Sequence, residues 1–300
     1  MKSWYGRSYI LYEILFNNLF DRETACMIPN HRKQPRKQSM YRYNKIFTPQ
    51  GITFTLFQSI NCIEEGFPLQ LYHSLATYKT GLPQFSGTRF MWKNETDKWN
   101  ENKHQEMIAY DLQIDIDCPD TDPPRQYAEE TKSDAIKVSK LLDSCGMPYY
   151  LRYTGKGYHF IIPHRYFACL GHHFHPHDNQ ESSVYTYCDK VTSALNETIS
   201  EFIDTGLHDS TRITKNPYSL VFYPEGIYVC WPFKTKQEFY SHNVNDYKLN
   251  SGLGFPGEQK MFRRGQTLFN QDEWSLKGLL KLNEILKIKG EENARNDVER

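Results

Sequence analysis

Apolar and polar residues alternate strictly along residues 110–117, and this alternation predicts a β-strand. Leucine and isoleucine recur at every second position, as in a strand with one buried face, at Leu112, Ile114 and Ile116. The opposite face carries Asp115 and Asp117. Two carboxylates on one face of a rigid strand repel each other, and a divalent cation bound between them relieves the repulsion. The pattern therefore predicts either a polar strand face turned to water or a strand that binds metal.

Periodicities on both sides of this strand predict a chain of mixed helix and strand. Apolar residues recur every three or four positions, which predicts helices over residues 10–19, 126–143, 183–204 and 272–287. Alternation and turn signals predict strands over residues 52–56, 69–78, 149–153, 219–223 and 227–231. A glycine turn follows residue 153, so we expect a hairpin whose second strand begins near His159.

Charge and cysteine content exclude several classes of protein. The 36 basic and 36 acidic residues balance, so contacts with nucleic acid would come from local patches. Seven cysteines without paired spacing indicate reduced thiols. The chain has no run of 18 apolar residues and no Walker A pattern, so we expect neither a membrane span nor a P-loop motor. The expected location is the cytoplasm, at the nucleoid, or in the host cytoplasm if the chain comes from a virus or plasmid.

Two further stretches carry candidate chemistry. The turn Gly155-Lys156-Gly157 would let backbone amides approach an anion, with Lys156 and His159 directed towards the same space. Later, Asp209 follows a predicted helix end and precedes two basic residues, Arg212 and Lys215. Each stretch alone is a weak indication, because glycine hairpins and isolated acidic residues are common.

Cysteine and histidine are concentrated in residues 165–190. The side chains there that can bind zinc are Cys169, His172, His173, His175, His177 and Cys188. Their spacing matches no regular zinc motif. The segment is therefore either a zinc site or a histidine-rich surface loop, with Cys188 belonging to the helix that follows.

A basic run lies near the N-terminus, within residues 24–63, which contain no acidic residue. Its charged members are Arg32, Lys33, Arg36 and Lys37. The run is either a solvated loop or an arm that contacts the phosphates of nucleic acid.

Taken in order, the three candidate stretches resemble the catalytic core of the archaeo-eukaryotic primase superfamily, which contains primase small subunits and primase-polymerases. That family has an Asp-x-Asp strand, then a small residue-x-His hairpin after a basic residue, then a lone Asp that leads into a basic Pro-x-Ser hairpin. The matching residues are Asp115-Ile116-Asp117, Lys156-Gly157-Tyr158-His159, and Asp209 followed by Pro217-Tyr218-Ser219. The resemblance extends over roughly residues 105–235.

The resemblance implies an α+β fold, in which an RRM-like antiparallel sheet carries the motif residues and packs on an N-terminal αβ portion. Residues 1–235 would form the primase-polymerase catalytic core. The superfamily often inserts a zinc-binding module between its second and third motifs, so residues 165–190 would be a zinc-binding insertion. Residues 236–300 would be a C-terminal loop and helical extension.

The resemblance also implies a function, which is template-dependent nucleotidyl transfer by a DNA primase, a primer-extending DNA polymerase, or both. Mg²⁺ or Mn²⁺ would be held by Asp115, Asp117 and Asp209, which would be the catalytic residues. The nucleotide would be bound by Lys156, Gly157, His159, Arg212, Lys215 and Ser219. The expected partners are a single-stranded DNA template, a primer, ribo- or deoxynucleoside triphosphates, and a separate helicase or primase large subunit.

Two positions depart from the family pattern. Val221 stands where many relatives have histidine, and Lys215 stands where arginine is common. Lysine keeps the charge but loses the two-pronged geometry of a guanidinium. Two other functions stay open. One is a metal-dependent nuclease or phosphodiesterase, which also uses clustered carboxylates. The other is a non-catalytic module that binds single-stranded nucleic acid, which the departure at Val221 favours and the three intact acids disfavour.

Overall fold

The computed structural model describes residues 22, 24–29, 38–43, 70–78, 107–119, 126–170, 184–209, 212–223, 226–249 and 266–288. The helices of this part are α1 (Ala128–Ser144), α2 (Val184–Thr198), α3 (Lys236–Ser241) and α4 (Leu276–Ile285). The strands before α1 are β1 (Thr24–Pro29), β2 (Gln38–Tyr43), β3 (Gln70–Ser74), β4 (Ala76–Tyr78), β5 (Met107–Tyr110) and β6 (Leu112–Asp117). The later strands are β7 (Tyr149–Tyr153), β8 (Gly157–Ile162), β9 (Ile213–Lys215), β10 (Leu220–Tyr223), β11 (Gly226–Val229), β12 (Trp231–Pro232) and β13 (Leu268–Phe269).

The central sheet has the strand order β12-β7-β8-β6, with β13 also paired to β7. Strands β6 and β7 are both antiparallel to β8, which lies between them. Helix α1 connects β6 to β7, so β6, α1 and β7 form a β-α-β unit that β8 splits. On the free edge of β6, Ile203 bridges antiparallel to Ile116, which brings the segment after α2 beside the strand that carries the two aspartates.

A second sheet, with the order β2-β1-β3-β9, lies against one face of the central sheet. The contact is made at β9, where the Thr214 hydroxyl bonds to side chains of β7 and β8. Two smaller pairs, β4 with β5 and β10 with β11, complete the β-structure of the described residues.

The opposite face of the central sheet carries the hydrophobic core. Ile114, Leu151 and Phe160 are buried there, and α1 packs over them through a buried stripe that includes Ala135 and Val138. The hydroxyls of Ser139 and Tyr149 bond at 2.8 Å, which ties the helix to this face. The polar residues that alternate with the core residues therefore face β9, in the space between the two sheets.

Most elements predicted from periodicity are present, with shifted ends. The strand predicted over residues 110–117 is interrupted at Asp111, whose carboxylate accepts hydrogen bonds from Arg22 (2.5 Å) and from the backbone N–H of His164 (3.0 Å). Helix α2 ends at Thr198, six residues earlier than predicted, because residues 202–204 bond to β6. Helix α4 begins at Leu276, where the Ser275 hydroxyl caps it by accepting from the Gly278 N–H.

The described part of the predicted C-terminal extension joins the same core. Phe239, Phe269 and Leu282 are buried in it, and β13 extends the central sheet. In the described residues no helix is long and apolar enough to cross a membrane. The helix predicted over residues 10–19 and the strand predicted over residues 52–56 lie outside the described residues. The α+β class predicted from the sequence is confirmed, with antiparallel sheets and helices.

Candidate active site

A polar row crosses the central sheet on the face that β9 covers. His159 of β8 stands opposite Asp115 of β6 on one side and opposite Arg152 of β7 on the other. The three residues are almost fully buried, at 7% exposed or less. Buried ionisable groups are costly unless paired, so the bonds within this row determine its chemistry.

Thr214 of β9 joins two members of the row. The Arg152 guanidinium donates to the Thr214 hydroxyl at 2.7 Å, and that hydroxyl lies 3.0 Å from Nδ1 of His159. Because arginine can only donate, the Thr214 hydroxyl accepts from Arg152, and it donates to the His159 Nδ1 when the proton of the neutral ring is on Nε2. Burial lowers the pKa of His159 to about 4, although Asp115 opposes this, so the imidazole is neutral at pH 7.

Asp115 is an ionised carboxylate with one unused oxygen. Its Oδ2 accepts from the Gln113 amide at 3.1 Å and lies 3.8 Å from the Arg212 guanidinium. Its Oδ1 lies 3.2 Å from Nε2 of His159 but is buried without a well-directed hydrogen bond. Burial alone would raise the pKa of Asp115, but His159, Lys215 and Arg212 outweigh it and lower the pKa.

Asp117 lies two residues further along β6, and its pKa is shifted in the opposite direction. Burial, followed by the charge of Asp115, raises its pKa to about 6. Lys156, in the hairpin turn, lies 3.6 Å from its Oδ2 and partly offsets this effect. The Asp117 Oδ1 is buried without a hydrogen-bond partner. The two neighbouring carboxylates therefore have two oxygens without a hydrogen bond. Their pKa values are shifted in opposite directions, because two like charges that lie close together do not ionise at the same pH.

Cationic side chains surround the carboxylate pair. Lys215 of β9 donates to the Tyr223 hydroxyl at 3.4 Å. Burial would lower the pKa of Lys215, but Tyr223, Asp117 and Asp115 raise it above the usual value, so the amine is charged. Arg212 lies between two carboxylates, at 3.8 Å from Asp115 and 4.0 Å from Asp204.

The structure brings together most, but not all, of the predicted site residues. Asp115, Asp117, Lys156, Gly157, His159, Arg212 and Lys215 meet at one end of the space between the sheets. Asp209 is exposed in a bend before Arg212, and its charge acts on Tyr110 and Tyr185. Ser219 is buried, where its hydroxyl accepts from the Leu71 N–H at 2.7 Å.

The carboxylate pair fits a divalent cation, although no third ligand completes the set in the described residues. Hard cations prefer oxygen ligands, and the unused Oδ1 atoms of Asp115 and Asp117 are such ligands. Across the described ranges, no three carboxylate, imidazole or thiol groups lie close enough together to hold a metal ion. The predicted metal set of Asp115, Asp117 and Asp209 therefore stays a prediction.

The other two predicted binding segments are described only in part. Cys169 is exposed, whereas Cys188 is fully buried on the core face of α2, where burial raises its pKa well above the usual value. The four histidines between them lie outside the described residues, as do Arg32, Lys33, Arg36 and Lys37. The zinc site and the nucleic-acid-binding arm stay predictions.

Sequence reasoning missed three residues of the site. Arg152 and Thr214 are brought to His159 by strand pairing, and Asp204 is brought to Asp115 by the bridge at Ile203. The Asp204 N–H donates to the Asp115 carbonyl at 2.9 Å. One signal was available, because Arg152 is a charged residue among the aromatic and apolar residues of the strand predicted over residues 149–153, and a buried charged residue normally has a specific partner.

Comparison with known proteins finds a likeness in structure but none in sequence. No protein-family model matches the chain, and no curated protein matches it in sequence. Among solved structures, the chain is similar to the polymerase domain of Mycobacterium tuberculosis Ligase D in complex with DNA, with 13% sequence identity and a TM-score of 0.43. The likeness covers 77% of this chain and 79% of that one.

Proposed function

We propose that the protein is a template-dependent nucleotidyltransferase, either a DNA primase or a DNA polymerase that extends primers. The observation that carries this proposal is the Asp115–Asp117 pair on β6, with two buried unused oxygens and with Lys156, Arg212 and Lys215 around it. A site of this kind suits a substrate that carries both a metal ion and several phosphate charges.

The arrangement of elements supports the same proposal. The split β-α-β unit, the second helix and the bridge at Ile203 follow one another in the order expected of an RRM-like sheet. The first two motifs that resemble the primase superfamily lie on β6 and on the β7–β8 hairpin, and the third extends from Asp209, before β9, to Ser219, after it. We therefore propose the primase-like arrangement for this α+β fold.

Each group of site residues would have a distinct role in nucleotidyl transfer. When bound at Asp115 and Asp117, Mg²⁺ or Mn²⁺ would supply charge stabilisation at the reacting phosphate and would activate the attacking hydroxyl. Lys156, Arg212 and Lys215 would hold the triphosphate and spread its charge. Arg152 would act through Thr214 to position the His159 ring, whose Nε2 lies 3.2 Å from the Asp115 Oδ1.

Nucleic acid would be bound without strong dependence on its sequence. The basic run with Arg32, Lys33, Arg36 and Lys37 is our candidate for contacts to the backbone of a single-stranded template and its primer. We also keep zinc binding at residues 165–190 and a separate helicase or primase large subunit as parts of the proposal.

The deciding experiment is incubation of purified protein with a single-stranded template, labelled nucleotides and Mg²⁺ or Mn²⁺, with and without an annealed primer. Extension of the primer, or synthesis of new short strands, supports the proposal. Shortening of the DNA in the absence of nucleotides would instead identify a metal-dependent nuclease. DNA binding without either reaction would identify a non-catalytic binding module.

A further inference from the structure

A cavity of about 250 Å³ opens on the same face of the central sheet, beyond the carboxylate pair. Neither Asp115 nor Asp117 lines it, and its floor is formed instead by Tyr150 and Ile161, which pair one row further along β7 and β8. A cavity that holds a single water has a volume of roughly 10–15 Å³, so this cavity has room for a polyatomic ligand.

Three arginines line this cavity, and one carboxylate does. That carboxylate, Asp111, is already engaged by Arg22 at 2.5 Å and by the His164 backbone N–H at 3.0 Å. Arg22 also donates to the carbonyls of Ser74 and Leu75, so its charge and its donors are satisfied within the protein. Within the described residues, no acid forms an ion pair with either of the other two arginines, Arg152 and Arg165.

Arg152 is the unusual member. It is 1% exposed, its guanidinium makes one hydrogen bond to the described residues, which is to Thr214, and its Nε is buried without a partner. No carboxylate of the described residues lies within ion-pair distance of its guanidinium. An unpaired buried charge is strongly unfavourable, and an anion in the cavity that it lines would relieve the cost.

We propose that this cavity is a phosphate-binding site that takes a phosphate group of a nucleotide or of a nucleic acid end, with Arg152 and Arg165 as its charged ligands. Guanidinium groups bind phosphate oxygens through paired N–H donors, and apolar walls such as Ile161 and Pro163 strengthen such bonds by excluding water. His73 is a neutral wall residue, because burial and then the charge of Arg152 hold its pKa well below the usual range. The assignment depends on the cavity alone and does not require the proposed transferase activity.

Calorimetric titration with pyrophosphate, in the presence of EDTA, tests the assignment. Wild-type protein should bind about one equivalent, and both Arg152→Met and Arg165→Ala should weaken the affinity at least tenfold. Arg165 is exposed, so its variant keeps the test decisive if the buried Arg152→Met protein does not fold. Lys140→Ala, which removes an exposed charge from α1 on the other side of the sheet, should bind as the wild type does.

Competition then identifies the source of the phosphate. Displacement of pyrophosphate by a nucleoside triphosphate points to the nucleotide, and displacement by a 5′-phosphorylated but not a 5′-hydroxyl oligonucleotide points to a nucleic acid end. The assignment is overturned if pyrophosphate does not bind, if the two arginine variants bind it like the wild type, or if neither competitor displaces it. Pyrophosphate binding that requires Arg165, in a protein that extends no primer, would leave this site standing while the transferase proposal fails.

Discussion

Asp117 and Gly157 lie directly opposite each other in the ladder between β6 and β8, and the absence of a side chain at Gly157 leaves room for the Asp117 carboxylate. A Cβ at residue 157 would stand 2.6 Å from the Asp117 Oδ1 and 2.0 Å from the carbonyl oxygen of Ile116. Both distances are shorter than non-bonded atoms tolerate, and the carbonyl belongs to a backbone that cannot turn aside. The glycine of the hairpin is therefore a requirement of the carboxylate pair as well as of the turn.

Gly157→Ala should separate β6 from β8 at the end that carries Asp117. We expect a loss of about 1–3 kcal/mol in the free energy of unfolding, the usual cost of overpacking, together with weaker Mn²⁺ binding. Urea unfolding and Mn²⁺ titration measure the two effects. Gly206→Ala is the matched control, because a Cβ there meets nothing within 4 Å, although the φ of +70° adds some backbone strain. Equal Mn²⁺ affinity in wild type and Gly157→Ala would contradict the role of this contact.

Asp115→Asn and Asp117→Asn should each abolish nucleotide addition while the protein stays folded. Asparagine keeps the size of the side chain but removes the charge that would hold the ion. The measurement is primer extension with Mg²⁺ and with Mn²⁺, and circular dichroism verifies the fold. Extension at the wild-type rate by both variants would remove the basis of the proposed function.

The same two variants should differ in stability when no metal is present. The pKa of Asp117 is raised to about 6 from an ordinary value of 3.8, so its ionisation destabilises the folded state above that range. Asp117→Asn should therefore raise the free energy of unfolding at pH 7.5, and the Tm with it. The gain should be on the order of 1 kcal/mol, because the side chain is 35% exposed, and it should vanish near pH 4. The lowered pKa of Asp115 means that its charge stabilises the fold, so Asp115→Asn should lower the Tm at pH 7.5.

Asp209→Asn and Asp204→Asn test which acid completes the proposed metal site. The order of the motifs predicts Asp209, whereas the structure places Asp204 beside Asp115 through the shared Arg212. We expect Asp209→Asn to abolish extension and Asp204→Asn to reduce it by no more than a few fold. The reverse result in a primer-extension assay would identify Asp204, and not Asp209, as the third metal ligand.

Lys156→Ala should weaken nucleotide binding and leave template binding nearly unchanged. Its amine lies 3.6 Å from Asp117, at the carboxylate pair, so the charge it contributes would act on the triphosphate. Fluorescence titrations with a labelled nucleotide and with a labelled single strand separate the two affinities. Replacement of Lys33, Arg36 and Lys37 by alanine is the matched comparison and should lower the salt dependence of DNA binding instead. A selective loss of template affinity in Lys156→Ala would contradict this assignment.

His242 should make the fold sensitive to acid at a place remote from the site. Its Nδ1 donates to the Phe239 carbonyl and its Nε2 bonds to the Tyr158 hydroxyl at 2.9 Å, and burial lowers its pKa to about 4 from 6.5. Between these two values the unfolded chain binds a proton that the folded chain does not, so stability should fall as the pH drops through this window. Urea unfolding from pH 7 to pH 4.5 should give a slope that is smaller in His242→Gln by up to about 1.4 kcal/mol per pH unit. Identical slopes would contradict the neutral, buried imidazole.

The sequence by itself determined the local part of this protein. A period of two determines that Asp115 and Asp117 share a face of β6, and the glycines at residues 155 and 157 determine where the chain reverses into β8. These properties depend on backbone geometry over a few residues, which neighbouring side chains specify. The motif order that resembles the primase superfamily is likewise visible without any structure.

Only the tertiary structure decided which residues meet across the sheets. The predicted hairpin brings Arg152 near His159, but nothing near Arg152 in the sequence indicates Thr214 as its bonding partner, since β9 lies more than fifty residues away. In the same way Asp204 reaches Asp115 because Ile203 bridges Ile116, and Asp209 is carried into an exposed bend. Burial also set the protonation states: two identical carboxylates, two residues apart, acquire opposite pKa shifts because one faces more cationic charge and the other faces the first carboxylate. Such effects depend on distance and on the exclusion of water, which are properties of the packed chain and not of the order of its residues.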